Sequence, residues 1–136
     1  MNLERFIEAQ EYNYQDALKE IKSGRKCSCW MWYVFPQLAG LGRSSTAKYY
    51  GITDLQEAQD YINDPLLGAR LVEISEALLA LDTNDAYRVL GCPDNMKLKS
   101  SMTLFAIAAP ELKVFQKVLD KYFGGERDKR TIELLG

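Results

Sequence analysis

The chain has 136 residues, 47% of them hydrophobic and 26% charged, with a formal net charge of −2 and a pI near 5.2. That length suits one domain around one core, and the balance excludes a disordered or membrane-embedded chain. The net negative charge disfavours nucleic acid as a partner, because binding of phosphate backbones is driven first by positive charge.

In the first segment, Leu3, Phe6, Ile7 and Gln10 fall on one helical face. A second helix is expected from about Tyr14 to Ser23, burying Ala17, Leu18 and Ile21 and stopping at Gly24. Asp16, Lys19, Glu20 and Lys22 then lie on its wet side. The run Trp30 to Phe35 is apolar or aromatic throughout, so a buried helical turn and a buried strand fit equally. Pro36 ends it by pushing Phe35 out of the helical region. Gly40 to Ser45 reads as a loop, with Ser44 or Ser45 capping a short helix that runs through Tyr50 and closes at Gly51.

Two overlapping capping-box patterns, Thr53 with Gln56 and Asp54 with Glu57, open a helix to about Asn63. Asp64-Pro65 opens the next, whose Leu67, Leu71, Ile74, Leu78 and Leu81 give the strongest amphipathic pattern in the chain. A short helix from Asp85 to Leu90 stops at Gly91. Asp94 is expected to cap a helix containing Met96, Leu98, Met102, Phe105 and Ile107. Pro110 is expected to start another, burying Leu112, Phe115, Leu119, Tyr122 and Phe123. Gly124-Gly125 breaks it, and Asp128 caps a last helix with Ile132, Leu134 and Leu135. No segment alternates with period two. The expected fold class is all-α, a single domain over residues 1–136 with roughly seven to nine helices, several of them short.

Two segments concentrate the chemistry. From Gly24 to Leu38, two cations (Arg25 and Lys26), a hydroxyl, two thiols, Trp30, Trp32 and Gln37 lie close together. The indoles either fill the core or wall a pocket for a flat ligand, with Arg25 or Lys26 holding its anionic part. From Gly91 to Phe105, Asp94, Lys97, Ser100 and Ser101 lie near a helix N-terminus, where free N–H groups favour anions. Lysines and hydroxyls there also suit a plain solvated face, and hydroxyls from Ser100 to Thr103 can bond back to helix carbonyls.

Several motifs together carry a resemblance. Arg5-Phe6 with Ala9-Gln10, Gly24-Arg25-Lys26, Trp30-Met31-Trp32, Phe35-Pro36-Gln37-Leu38 and Gly40-Leu41-Gly42 come first. Pro65 to Leu71, Lys97 to Phe105, and Gly125, Asp128 and Thr131 follow in order. In this combination the chain resembles domain-of-unknown-function family 1810. The resemblance implies a compact helical domain of bacterial type and no established activity. Some members carry the label calpastatin, which does not transfer to a chain able to build a core, since calpastatin is a disordered inhibitor. The family pattern usually has histidine just before Trp-Met-Trp; here that residue is Cys29, and the chain has no histidine at all. The position therefore reads as one that packs or donates a hydrogen bond rather than one that transfers protons.

Other constellations fall away. Cys27, Cys29 and Cys92 lack the fourth nitrogen or sulfur ligand of a structural zinc site, so no metal is expected. Histidine-dependent nucleophile systems are excluded. Gly40 to Ser45 lacks the spacing and the preceding strand of a phosphate-binding loop. Asp94 and Asp128 are explained by capping, with acid or base work as the alternative. An odd number of cysteines fits a reducing compartment. The opening stretch Met1 to Phe6 does not read as a secretory signal, and no apolar run reaches the ~20 residues of a membrane span. The expected location is cytoplasmic, without a membrane partner.

The functional expectation is a domain, binding or enzymatic, for a small phosphorylated or nucleotide-like ligand. Its site would comprise Arg25, Lys26, Trp30, Trp32, Gln37, Asp94, Lys97, Ser100 and Ser101. The alternative is a non-catalytic helical module for protein–protein interaction, using surface tyrosines such as Tyr12, Tyr14, Tyr49 and Tyr50.

Overall fold

The computed structural model describes residues 3–136, so Met1 and Asn2, part of the opening stretch read for a targeting signal, lie outside the described residues. Nine helices form among the described residues: α1 (Glu4–Ser23), α2 (Met31–Val34), α3 (Ser45–Tyr50), α4 (Leu55–Asn63), α5 (Pro65–Leu79), α6 (Ala86–Leu90), α7 (Asp94–Ala108), α8 (Val114–Phe123) and α9 (Lys129–Leu135). No strand forms among the described residues. The nearest approach is a single parallel bridge between Leu38 and Ile52, closed by Ala39 N–H to Ile52 O at 2.7 Å and Ile52 N–H to Gln37 O at 2.8 Å. No helix is long and apolar enough to cross a membrane among the described residues.

Capping chemistry sets most helix starts. The side chains of Ser44, Asp54, Asp64, Asp85 and Asp128 each accept a backbone N–H from the first turn of the helix that follows. α1 is one helix where the pattern suggested two, because nothing between Glu11 and Asn13 breaks it and Tyr14 continues the buried face. Pro110 does not start α8. It sits in the turn after α7, where its carbonyl accepts from Lys113 Nζ at 3.0 Å, and α8 begins at Val114. The aromatic run resolves as a short helix, α2, whose Met31, Tyr33 and Val34 face the core.

α7 is the central element. It packs against α4, α6, α8 and α9, and its buried residues run from Ser100 through Ala106 without interruption. A helix covered on nearly all sides carries little amphipathic signal, which is why its sequence looked less periodic than that of α5. α1, α4 and α8 surround α5. Two features tighten the frame. A Cβ on Gly68 would stand 2.0 Å from the carbonyl oxygen of Ile62, so only glycine allows α5 to fold back this closely on the end of α4. Lys121 Nζ and the Tyr122 hydroxyl donate to carbonyls at the end of α5, including Leu79 O at 2.8 Å and Leu78 O at 2.6 Å respectively, satisfying groups that the helix itself cannot.

Candidate functional site

The site is built on the loop between α1 and α2. Gly24 ends α1 in the left-handed conformation at φ 87°, and Arg25 N–H returns to Glu20 O at 3.1 Å. The following residues wrap around the Glu20 carboxylate. It accepts from Cys27 N–H at 2.7 Å, Ser28 N–H at 3.0 Å, Ser28 Oγ at 2.6 Å and Trp30 Nε1 at 2.9 Å. Partial burial pushes this carboxyl up, but the hydrogen bonds from Ser28, Cys27 and Trp30 outweigh it and bring the pKa down to about 2. Helical periodicity had placed Glu20 on the wet side of its helix. Periodicity assigns a face, not a tertiary partner; the available clue was the need of a buried indole N–H for an acceptor.

That anchoring separates the two tryptophans. Trp30 is 1% exposed and packs in the core beside Phe35, so it offers no stacking face. Trp32 is half-buried, one helical position past the core-facing Met31. Lys97, from the first turn of α7, places its Nζ 3.4 Å from the Trp32 ring centroid. Lys97 also lies 3.4 Å from Asp94 Oδ1, while Lys26 Nζ lies 2.9 Å from Asp94 Oδ2 and 5.2 Å from the Trp30 ring centroid. The two chemistry-rich segments, far apart in sequence, therefore meet through Lys26, Asp94, Lys97 and Trp32. Asp94 is the first residue of α7 rather than its cap, since Pro93 occupies the cap position. Its carboxylate joins two ammonium groups instead.

Beside this bridge lies an open cleft of about 250 Å³, lined by Trp32, Gln37, Lys97, Ser100, Asp128 and Arg130 among others. Ser100 Oγ donates back to Met96 O at 3.2 Å, and the residue, 6% exposed, stands at the wall of the cleft. Asp128 uses Oδ2 to accept from Thr131 N–H at 3.0 Å and Thr131 Oγ1 at 2.6 Å, the cap of α9. Asp128 N–H in turn donates to Thr103 Oγ1 at 2.8 Å, tying the start of α9 to α7. Gly42 closes one wall. A Cβ there would lie 2.6 Å from Ala47 Cβ and 4.0 Å from the Trp32 ring, so the loop packs flat against both.

Four of the nine residues singled out from sequence line this cleft: Trp32, Gln37, Lys97 and Ser100. Asp94 and Lys26 bridge behind it. Arg25 lies elsewhere, in a separate hollow shared with Lys26 and α6. Trp30 and Ser101 are buried, and Ser101 Oγ has no hydrogen-bond partner among the described residues. Arg130 was missed by sequence reading. It follows a predicted cap by two residues, and nothing in a helix-start pattern tells which way such a side chain leans. Bridge and cleft together hold three cations, Lys26, Lys97 and Arg130, and two carboxylates, Asp94 and Asp128, a positive balance in a chain that is negative as a whole. Cys27, Cys29 and Cys92 are all exposed free thiols, and no group of three metal-ligating side chains forms among the described residues.

The chain matches the family described as "Protein of unknown function (DUF1810)" over residues 1–135. It belongs to the DUF1810 family. Among solved structures, it is similar to that of the conserved hypothetical protein Rv1873 from Mycobacterium tuberculosis, determined at 1.38 Å. The identity is 46%, the match covers 98% of this chain and 95% of that one, and the TM-score is 0.96. No curated protein matches the chain. The helical architecture is therefore that of a DUF1810 protein, and the family description assigns it no activity.

Proposed function

We propose that this DUF1810 protein binds a small phosphorylated or nucleotide-like ligand in the cleft beside Trp32. One observation carries the reading. A half-buried indole, an ammonium 3.4 Å from its ring centroid, and an arginine without an ion pair among the described residues line one concave site. The indole supplies an apolar wall, Lys97 and Arg130 hold negative charge, and Gln37 and Ser100 supply directional hydrogen bonds. Asp94 is paired with both Lys26 and Lys97, so its carboxylate is engaged with cations rather than free to accept a proton. The reading is of binding. A reaction would need a group placed to move a proton, and both candidate carboxylates are engaged, one with two lysines and the other as a helix cap.

The test uses the difference between the two indoles. Titration with AMP or ADP is expected to change the emission of Trp32, while Trp30, buried and hydrogen-bonded to Glu20, contributes a constant background. In Trp32→Phe the ligand-dependent signal should vanish and the Trp30 emission remain. A saturable signal that survives in Trp32→Phe, or none with any phosphorylated compound, rejects the reading. Of the tyrosines expected at the surface, Tyr14 is buried and Tyr50 half-buried, so the competing interaction-module reading draws on Tyr12 and Tyr49, 81% and 58% exposed. Sedimentation that shows a monomer at all concentrations counts against self-association through them.

A further inference from the structure

A larger hollow, of about 640 Å³, opens between the end of α1 and α6. Its sides are joined by backbone, with Lys26 N–H donating to Val89 O at 2.7 Å. Gly24 and Gly91, at φ 87° and 78°, both line it, and neither has any atom within 4 Å of where a Cβ would stand. Arg25 and Arg88 line it too. Both are exposed, and neither guanidinium has an ion-pair or hydrogen-bond partner among the described residues. No acid among the described residues forms an ion pair with either. Asp85 accepts from Arg88 N–H at 3.2 Å as the cap of α6, and Asp82 lines an adjoining hollow that shares Arg88. Tyr87, 62% exposed, also lines the larger hollow.

This hollow adjoins the Trp32 cleft. Gly91 lines the first and Pro93 the second, and two residues of chain span at most about 7 Å. Lys26 lines the hollow, and its ion pair with Asp94 leads to Lys97 in the cleft. The cleft alone, at about 250 Å³, is smaller than the ~300–1,000 Å³ typical of sites that enclose a whole ligand. We propose that the hollow is an anion subsite for a phosphate chain, gripped by Arg25 and Arg88, and that the ligand class is a nucleoside di- or triphosphate. Its ring lies against Trp32 and its phosphates reach across the turn at residues 91–93. Planar guanidinium forks suit the bidentate geometry of phosphate oxygens. The placement of the ring rests on the proposed Trp32 reading; the phosphate subsite does not.

The experiment is calorimetric titration of the full chain at low ionic strength with inorganic pyrophosphate and, separately, with ADP. It compares wild type, Arg25→Ala/Arg88→Ala and Trp32→Phe. Both arginines are exposed and unpaired, so the double variant should keep the wild-type melting temperature, which is checked first. Pyrophosphate is expected to bind wild type and Trp32→Phe alike and to weaken at least tenfold in the double arginine variant. ADP should weaken in both variants. Pyrophosphate binding that is equal in all three proteins, or absent from wild type, overturns the subsite. Arginine-dependent pyrophosphate binding with ADP unaffected by Trp32→Phe supports the subsite and rejects the Trp32 cleft as its ring site.

Discussion

Two polar clusters in this protein pair a carboxylate with cations to different ends. Around Glu57, charge is enclosed: the carboxylate is 1% exposed and receives Arg5 Nη2 at 3.1 Å, Thr53 N–H at 2.8 Å and Thr53 Oγ1 at 3.1 Å. Arg5 also donates to the carbonyls of Tyr49 at 2.8 Å and Gly51 at 3.0 Å, joining α1 to α3 and α4. Around Asp94, one carboxylate is divided between Lys26 and Lys97, and Lys97 opens onto a cleft that also receives Arg130. The enclosed cluster holds the chain together. The open one has cation to spare, and spare cation beside an aromatic wall is what an anionic ligand requires.

The sharpest way to test that contrast is to break the enclosed cluster. Glu57→Ala leaves Arg5 facing an unfilled, water-poor site, and removal of one partner from a buried pair costs roughly 3–5 kcal/mol. Urea denaturation should show a midpoint drop of that size with the slope unchanged. A loss below about 1 kcal/mol would mean that the Glu57 cluster is no more structural than the surface pairs. Burial raises the Glu57 carboxyl, but the bonds and charge from Arg5 and Thr53 outweigh it and hold the group below the ordinary value.

The enclosed cluster was half legible. Asp54 caps α4 as its spacing predicts, through Glu57 N–H at 2.9 Å, yet the Glu57 side chain turns back to Thr53 and Arg5 rather than to Asp54. Local spacing locates helix starts because a cap is a contact three residues long. It is silent on Arg5, 52 residues away. The open cluster behaved the same way. Composition drew attention to both segments, but which indole is buried and which lies at the cleft depends on Glu20, whose four hydrogen bonds reach forward to the loop between α1 and α2. Asp94 escaped its expected role as a cap because Pro93 holds that position, freeing the carboxylate for lysines. Arg25 and Trp32, seven positions apart in the sequence, line adjoining hollows rather than a single one, because Arg25 stays with the end of α1 while Trp32 is carried on α2.

Glu20 stands between the two clusters in the size of its expected effect. Glu20→Gln removes a charged acceptor from two backbone N–H groups, a hydroxyl and an indole N–H, and a loss of about 1–3 kcal/mol is expected. The pH dependence has a definite sign. The folded carboxyl, at about 2, lies below its unfolded value of 4.5, so its contribution is complete above pH 4.5 and is lost as pH falls toward 2. Acid titration of wild type should therefore show a slope in that window that is shallower in Glu20→Gln. Equal slopes would mean that the loop is held by something other than this carboxylate. Because Glu20 fixes Trp30, the variant should also alter Trp30 emission without ligand.

The smallest effect on stability should accompany the largest divergence in binding. Lys97→Ala and Asp94→Asn each disturb pairs whose side chains are 11–17% exposed, against 1% for Glu57, so both variants should lose about 1 kcal/mol, the upper end for a surface pair, and melt closer to wild type than Glu57→Ala. Their effects on an anion should be opposite. Lys97→Ala removes a cation from the cleft, whereas Asp94→Asn releases Lys26 and Lys97 from a competing carboxylate and raises the local positive charge. A unit charge at about 4 Å is worth roughly 1 kcal/mol in bulk water, or about fivefold in affinity, and salt reduces it. AMP binding should therefore weaken about fivefold in Lys97→Ala and tighten by up to the same factor in Asp94→Asn, with both differences shrinking in high salt. If Asp94→Asn weakens binding instead, then the carboxylate acts chiefly by holding Lys97 in place against Trp32, and the cluster is closer in kind to the one around Glu57 than its spare charge suggests.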